Sequence, residues 1–288
     1  MTDYQDVLNR VLDAIDCNLE QSLTVAQLSK VACLSPFHFH RLFSSMLGMP
    51  VNVYIRQRRL KQAAYQLLYR QDHCVTDIAF AAGYQNAESF SRAFRQVFGV
   101  SPTAFRVNPN WEHWQSLHQS LSMVRKKNMS ELSPQVEMVE LPEIQLAVLE
   151  HKGDPVTLGA SIQRFIAWRK SVGLRPDISR TFNLLYDDPE STSPDEYRFD
   201  LAVEVKQSMT DDAAGIVSKT IPAGRYARVR HIGSDDGLVC VVQALYGRWF
   251  PESGESLADF PLFFERVRFF PDVAEHEAVT DIYLPLKS

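Results

Sequence analysis

The sequence has little of what marks membrane, secreted or metal-binding proteins. No apolar run approaches the roughly 18 residues that a membrane-spanning helix needs. The four cysteines are scattered without a C-x-x-C pair, and no histidines cluster beside them. The first residues are acidic and amphipathic, unlike a secretory leader. These features argue against a disulfide framework, a metal site or a cofactor, and they favour a cytoplasmic protein.

Length and charge indicate two parts with different partners. A chain of 288 residues with 45% apolar residues suits two globular domains. Residues 1–127 hold 14 Lys and Arg against 9 Asp and Glu, which gives +5, and the remaining 161 hold 16 against 26, which gives −10. A basic part beside an acidic part is typical of a chain in which one half contacts phosphate groups. The alternative is chance variation in surface composition.

Two short helical patterns meet at Gly83. The first runs from Val75 to Ala82, and the second follows Asn86, which is suited to capping a helix. The apolar stripes comprise Val75, Ile78, Ala79 and Ala82, then Phe90, Phe94, Val97 and Phe98. The second segment also carries charged residues on its opposite face. This layout predicts a helix-turn-helix motif, whose second helix enters a DNA major groove.

The same pattern occurs earlier in the chain, around Cys33. A helix capped by Thr24 precedes this residue, and a helix that opens at Ser35 and Pro36 follows it. Corresponding residues stand 50 apart before the turn and 51 apart after it: Leu28 and Ile78, Ala32 and Ala82, Phe39 and Phe90, Arg41 and Arg92, Phe43 and Phe94. Residues 52–69 between the motifs read as one continuous helix. Two motifs on one connecting helix predict binding in two successive major grooves, about 10 base pairs apart.

The motifs D-I-A-x-x-x-G-Y, S-F-S-R-x-F-R and G-x-S-P-x-x-F-R follow one another within residues 77–106. This run resembles the signature of AraC/XylS-type transcription regulators. The resemblance implies an all-α DNA-binding domain over residues 1–107, promoter DNA as a partner and contact with RNA polymerase. The matching recognition residues are Phe37, His38, His40 and Arg41 in the first motif, and Ala87, Glu88, Ser89 and Arg92 in the second.

The roles of individual recognition residues stay open. An arginine can read guanine through two hydrogen bonds, or it can contact phosphate and add affinity without specificity. Pro36 and Phe37 replace a lysine-tryptophan pair found in some relatives, and Ala87 and Glu88 replace glutamines. The operator sequence therefore does not follow from the resemblance. An all-helical module that binds protein is the alternative for the whole domain.

The residue pattern changes twice in the rest of the chain. Residues 108–134 are polar and weakly periodic, and they are interpreted as a linker. Residues 135–288 then read as strand-helix-strand-strand, repeated once. The fold class predicted for the whole chain is therefore multidomain. An all-α double helix-turn-helix domain is followed by an α+β domain with pseudo-twofold symmetry and a repeated βαββ layout.

Two motifs in this last part are I-P-A-G-R-Y-A at residues 221–227 and D-I-Y-L-P-L at residues 281–286. With the doubled layout, they resemble the GyrI-like effector-binding domain. The resemblance implies a cleft lined by aromatic residues, with a carboxylate near the end of the last strand. The candidate ligand-binding residues are Trp168, Tyr186, Tyr226, Trp249, Asp281 and Tyr283. Asp281 matches a position that is typically glutamate, so its reach towards a cation is shorter.

Three functions are compatible with these patterns. The leading interpretation is a non-enzymatic, DNA-binding transcription regulator that senses a small amphipathic or cationic effector, since aromatic walls and a carboxylate favour cations. In the second, which the resemblance to GyrI-like proteins implies, the C-terminal domain hydrolyses reactive small molecules through Asp281 with Tyr226 or Tyr283, although no nucleophile-base-orienter set is evident. In the third, it is a protein-binding module. The candidate aromatic residues could also be ordinary core and surface residues.

Overall fold

The computed structural model describes residues 4–70, 72–128, 134–189 and 191–287. It divides into two compact units, one of residues 1–131 with 235–240 and one of residues 132–234 with 241–288. Each unit has its own hydrophobic core.

Helices make up the first unit. They are α1 (Tyr4–Cys17), α2 (Val25–Val31), α3 (Pro36–Leu47), α4 (Val51–Tyr69), α5 (Val75–Ala81), α6 (Ala87–Phe98), α7 (Pro102–Val107) and α8 (Trp111–Asn128). The pairs α2–α3 and α5–α6 are the two predicted helix-turn-helix motifs, and α4 is the predicted connecting helix. Aromatic residues of α3 and α6 fill the core around α4.

Hydrogen bonds connect helix α4 to the chain segment before the first motif. Arg59 donates hydrogen bonds from Nε to the carbonyl of Leu19 at 2.8 Å and from Nη2 to the carbonyl of Gln21 at 2.5 Å. Arg58, which looks exposed in the sequence pattern, is buried and forms an ion pair with Asp16 at 3.0 Å. Arg58 also forms an ion pair with Asp236, which belongs to the same unit. Because burying an unpaired charge is costly, these two carboxylates are what allow an arginine inside the core.

The linker predicted at residues 108–134 is wrong for residues 111–128, which form α8. Four residues of α8 are buried in the helical core: Trp114, Leu117, Leu121 and Val124. They recur at spacings of three, four and three, so they lie on one helix face. The residues between them are mostly polar, so the apolar periodicity of this helix is weak in the sequence. Residues 129–133 of the predicted linker lie outside the described residues.

The second unit is built on an antiparallel sheet. Its strands are β1 (Val136–Leu141), β2 (Ile144–Lys152), β3 (Thr181–Leu185), β4 (Arg198–Glu204), β5 (Ile216–Ile221), β6 (Gly224–Ile232), β7 (Leu262–Arg268) and β8 (Val279–Leu286). They lie in the order β1-β6-β8-β7-β3-β4-β2-β5. The helices along this part of the chain are α9 (Leu158–Ser171), α10 (Leu238–Ala244) and α11 (Phe250–Ser253), with a π-helical turn at Leu245–Trp249 between the last two.

The sheet has the predicted twofold pattern. β2-α9-β3-β4 is the first βαββ half, and β6-α10-β7-β8 is the second. The halves meet where β3 pairs with β7. The sequence pattern missed that β1 and β5 are separate edge strands. Each precedes one half along the chain and pairs with the first strand of the other half, β1 with β6 and β5 with β2.

The two faces of this sheet bury different side chains. Because strand residues alternate between faces, Leu201 and Val203 of β4 pack towards α9 while Ala202 packs on the opposite face. That opposite face holds an aromatic cluster, here called the aromatic face. Its members include Phe182, Tyr226, Phe263 and Tyr283, with Tyr186 and Phe260 packed against them.

Candidate functional site

The first helix-turn-helix motif turns its predicted recognition residues outward. The Thr24 hydroxyl accepts a hydrogen bond from the Gln27 backbone at the start of α2, and the Ser35 hydroxyl accepts one from the His38 backbone at the start of α3. These bonds satisfy amide groups that would lack partners at the helix ends. Burial of Phe39 then fixes the rotation of α3. The predicted residues are all exposed: Phe37, His38, His40 and Arg41.

Phe37 is the unusual residue on this surface, because a large apolar side chain is 65% exposed there. The guanidinium carbon of Arg41 lies 5.4 Å from the centre of the Phe37 ring, within the range of a cation–π contact. The ring of His38 meets the same ring edge-on at 5.7 Å. The exposed face of α3 therefore combines an aromatic ring with a positive charge.

The second motif also begins its second helix with a side-chain cap, but its outward residues differ from those of the first motif. The Asn86 side chain accepts a hydrogen bond from the Ser89 backbone at 2.8 Å and begins α6. The Ser89 hydroxyl donates to the Asn86 carbonyl at 3.0 Å, so it takes part in the cap. Glu88 and Arg92 are exposed, while Ala87 and Ser89 are partly buried. Charge thus dominates the outward face of α6.

An open depression on α6 joins these residues to others that the sequence analysis did not select. It is lined by Ala87, Glu88, Ser91, Arg92, Arg95 and Gln96. Arg95 and Gln96 are exposed one helical turn beyond Arg92, so the spacing of the outward residues could have identified them. The depression gives the outward face of α6 two arginines.

In the sheet unit, three predicted residues lie together on the aromatic face. The ring of Tyr283 stacks on Phe263 with centres 4.9 Å apart, and Tyr226 meets Phe263 edge-on at 5.5 Å. The Tyr226 hydroxyl donates to the Pro222 carbonyl at 2.6 Å. Burial raises the pKa of Tyr226 to about 12. Asp281 lies on the same strand as Tyr283 and two residues from it, so both point to one face.

The carboxylate of Asp281 is already engaged. Nε and Nη2 of Arg230 each lie 2.7 Å from one of its two oxygens, in a paired geometry that favours strong hydrogen bonds. Asp281 is 2% exposed, whereas the Arg230 side chain is 50% exposed. The arginine therefore stands between this carboxylate and the solvent.

The other predicted ligand-binding residues are spread over several places. Tyr186 packs against the aromatic face, and its hydroxyl donates to Asp200 at 2.8 Å. Trp168 lies on the opposite face, where it stacks on Phe165 and its ring nitrogen donates to Asp211. Trp249 ends the π-helical turn and is partly buried. The structure thus brings Tyr186, Tyr226, Asp281 and Tyr283 to one face and leaves Trp168 on the other.

Glu265 is not among the predicted site residues, yet it lies directly beside Asp281 across the β7–β8 pair. The Tyr283 hydroxyl donates to its carboxylate at 3.1 Å, and Nη1 of Arg180 lies 3.8 Å away. Burial raises the pKa of the Glu265 carboxyl, although the charge of Arg180 opposes this shift. Alternation along β7 could have placed this acid on the aromatic face, but only the strand register places it beside Asp281.

Family models match both parts of the chain. Residues 28–108 match a helix-turn-helix domain, and residues 134–287 match the GyrI-like small molecule binding domain. The chain belongs to the AraC-type transcription regulators with a GyrI-like domain. Its DNA-binding function and its small-molecule-binding domain follow from that membership. No helix among the described residues is long and apolar enough to cross a membrane.

Two relatives in sequence agree with this assignment, and one solved structure is reported beside them. The regulator is 35% identical over 159 residues to the probable transcriptional regulator YgiV of Escherichia coli strain K12, covering 55% of this chain and 99% of YgiV. It is 36% identical over 104 residues to the uncharacterized HTH-type transcriptional regulator YbfP of Bacillus subtilis strain 168, covering 36% of this chain and 35% of YbfP. A cryo-EM structure of an EcmrR–DNA complex aligns with a TM-score of 0.45 at 13% identity, over 92% of this chain and 99% of that one.

Proposed function

We propose that the regulator reads promoter DNA with α3 and α6, which enter two successive major grooves about 10 base pairs apart. The observation that supports this is shared by both helices. Each buries one aromatic stripe in the helical core and turns predicted contact residues of its first turns to the other side, all four exposed on α3 and Glu88 and Arg92 exposed on α6. The base contacts come from Phe37, His38, His40 and Arg41 on α3, and from Ala87, Glu88, Ser89 and Arg92 on α6.

The two helices read different sequences, because their outward faces differ in chemistry. The face of α3 offers an aromatic ring and a cation, suited to a thymine methyl group and to guanine. The face of α6 offers Glu88 and Arg92, suited to a cytosine amine and to guanine. The operator of a monomer therefore consists of two unlike half-sites rather than a palindrome.

Selection of binding sites from random DNA, followed by footprinting, tests this proposal. The wild type should enrich two half-sites whose centres lie about one helical turn apart. Arg41→Ala should weaken protection of one half-site and Arg92→Ala of the other. Enrichment of a single half-site, or equal loss of both half-sites in each variant, would contradict the two-helix arrangement.

The DNA-bound regulator acts on RNA polymerase, as its resemblance to AraC/XylS-type regulators implies. Transcription in a purified system measures this directly, with a promoter that carries the selected operator. A change in transcript level that requires both the operator and the protein supports the proposal. An unchanged level at full operator occupancy contradicts it.

The GyrI-like domain binds a small amphipathic or cationic effector on the aromatic face. The support is that Tyr186, Tyr226 and Tyr283 combine ring surfaces with hydroxyl groups there, next to Asp281. The contacts do not support a hydrolytic role for Asp281, because its carboxylate is held by Arg230. Effector binding shifts regulation only if the effector favours one conformation of the protein over another.

A thermal-shift screen of the full chain tests the effector proposal. The probes are lipophilic cations, bile-acid-like anions and neutral dyes of similar size. A stabilising compound whose effect is reduced by Tyr283→Ala supports binding on the aromatic face. Stabilisation that is unchanged by Tyr283→Ala but lost with Trp168→Ala would place the effector on the opposite face of the sheet.

A further inference from the structure

The helical unit includes a short segment that comes late in the sequence. Residues 235–240 belong to this unit, whereas residues 132–234 and 241–288 on either side of them belong to the sheet unit. The segment opens with a 3₁₀ turn at Asp235–Gly237, and α10 begins directly after it at Leu238. The chain therefore leaves the sheet unit after β6, contributes this segment to the helical unit, and returns to the sheet unit within α10.

Asp236 of this segment is buried in the helical unit and binds two basic residues of α4. Its carboxylate forms an ion pair with Arg58, and both of its oxygens accept hydrogen bonds from Nζ of Lys61 at 2.9 Å. The Ser122 hydroxyl of α8 donates to the same carboxylate at 3.3 Å. Burial raises the pKa of the Asp236 carboxyl, but the charges of Lys61 and Arg58 outweigh this effect and lower the pKa below its usual value. The carboxyl group is therefore ionised at neutral pH.

These ion pairs lie on the helix that joins the two DNA-binding motifs. Arg58 and Lys61 are about one helical turn apart near the middle of α4, between the end that follows α3 and the end that precedes α5. Both cations are buried, and so is Asp236. Removing a carboxylate from a buried ion pair is costly, because the cation left behind cannot regain its hydration. Asp236 therefore favours one placement of α4 within the helical unit.

The residue just before the segment is held in the sheet unit. The Ser234 hydroxyl donates to Oε1 of Glu275 at 2.8 Å, and both residues are buried. Nε2 of His231 lies 2.9 Å from the Ser234 carbonyl oxygen. Only Asp235 lies between Ser234 and Asp236, so a contact in the sheet unit and a contact in the helical unit stand two residues apart. Because two residues span at most about 7 Å, a large movement of one contact must move the other or break it.

We propose that Asp236 couples the GyrI-like domain to the DNA-binding helices, by holding α4 in the arrangement that binds DNA. This inference rests on the proposed mode of DNA binding and on the proposed effector site. Strand β6 carries Tyr226 of that site and ends at Ile232, four residues before Asp236. An effector that favours one conformation of β6 shifts the position of Asp236, and DNA binding stabilises β6 by the same linkage. Asp236 is a positioning residue, since it acts on DNA only through α4.

Hydrogen exchange in the full-length protein measures this coupling with DNA as the only ligand. Amide exchange is followed by mass spectrometry, without DNA and with a saturating amount of the operator selected from random DNA. In the wild type the operator should slow exchange in α3 and α6. It should also slow exchange in β6 at least about fivefold, which is the lower end of typical coupling between sites. Direct shielding by DNA adds little at β6, because this strand is paired with β1 on one side and β8 on the other.

Two variants interrupt the link at its two ends. Asp236→Asn keeps the shape of the side chain and removes its charge, and Ser234→Ala removes the hydroxyl that binds Glu275. In both variants the saturating operator should still slow exchange in α6 but no longer in β6. Asp259→Asn removes a charge from an exposed residue of the sheet unit and should match the wild type. A merely structural role of Asp236 would raise exchange in β6 equally with and without DNA, and would leave the ratio of the two rates unchanged.

The outcomes separate this coupling from the DNA-binding proposal. Protection of β6 that survives in Asp236→Asn would overturn the role of Asp236. Protection confined to the helical unit in the wild type would overturn the coupling and leave the DNA-binding proposal intact. If Asp236→Asn does not fold, Ser234→Ala decides in the same way, because it leaves the ion pairs of Asp236 in place. Absence of protection in α3 and α6 as well would contradict the two-helix proposal, and the inference with it.

Discussion

The guanidinium of Arg59 lies against Gly83, so that a β-carbon added to Gly83 would be 2.8 Å from Nη1 of Arg59. Gly83 forms the turn between α5 and α6 with φ at +80°. The same guanidinium donates hydrogen bonds to the carbonyls of Leu19 and Gln21, which precede the first motif. One side chain of α4 thus contacts both the segment before the first motif and the turn of the second motif, where the glycine leaves room for it.

Gly83→Ala should therefore destabilise the helical unit more than an ordinary turn glycine would. Gly48 has a similar φ of +74° with no atom within 4 Å of an added β-carbon, so Gly48→Ala is the control. Both changes should cost about 1 kcal/mol for the left-handed backbone, and Gly83→Ala should cost about 1–3 kcal/mol more for crowding Arg59. Urea unfolding, followed by far-ultraviolet circular dichroism, measures both. Equal losses would show that Arg59 moves aside without cost.

Arg92 offers a test that separates base reading from phosphate binding. If Arg92 reads a base, Arg92→Ala should cost about 1–3 kcal/mol in specific binding and relax the preference at one operator position. If it contacts phosphate, affinity should fall for all DNA sequences. The slope of the logarithm of affinity against the logarithm of salt concentration should then become shallower by about one unit. Titrations of matched and mismatched operators at several salt concentrations distinguish the two. An unchanged preference at every position would exclude base reading.

The helix-turn-helix motifs could be predicted from the sequence because their signals are local. Ser35 and Asn86 begin α3 and α6 through contacts with the third following residue, and Gly83 marks a left-handed turn. These features depend on a few neighbouring residues, so spacing alone reveals them. The doubled βαββ pattern was likewise visible in the alternation and order of elements.

The chemistry of the proposed effector site depends on contacts between strands that are far apart in the sequence, and residue spacing does not reveal such contacts. Arg230 reaches Asp281 from a strand 51 residues earlier, and Glu265 reaches Tyr283 across another strand pair. Register decides both contacts, and a shift of one residue would turn each side chain to the other face. Trp168 was assigned to the site by its residue type, but alternation in the strands and the packing of α9 place it on the opposite face.

Trp114→Ala tests whether α8 is part of the helical core. The indole of Trp114 packs among Tyr65, Phe98 and Phe105 and is buried. Its removal should cost about 3–5 kcal/mol, because it leaves a cavity in a packed aromatic cluster. Met123→Ala, on the exposed side of the same helix, should change stability by less than about 0.5 kcal/mol. Similar effects of the two changes in urea unfolding would mean that α8 docks only weakly.

Glu265 and Glu204 should affect the pH dependence of stability with opposite signs. Burial raises the pKa of the Glu265 carboxyl, so ionisation of this group opposes folding. The protonated carboxyl therefore favours the folded state at low pH, and this contribution is lost as pH rises from 4.5 through the folded-state pKa. Glu265→Gln should therefore raise the melting temperature at neutral pH and have little effect in acid.

Hydrogen bonds from Arg180 lower the pKa of Glu204, so Glu204 stabilises the fold above pH 4.5 and loses that effect as pH falls. Glu204→Gln should lower the melting temperature at neutral pH. Melting curves across this range measure both, and a shift of the same sign for the two variants would contradict the assigned environments.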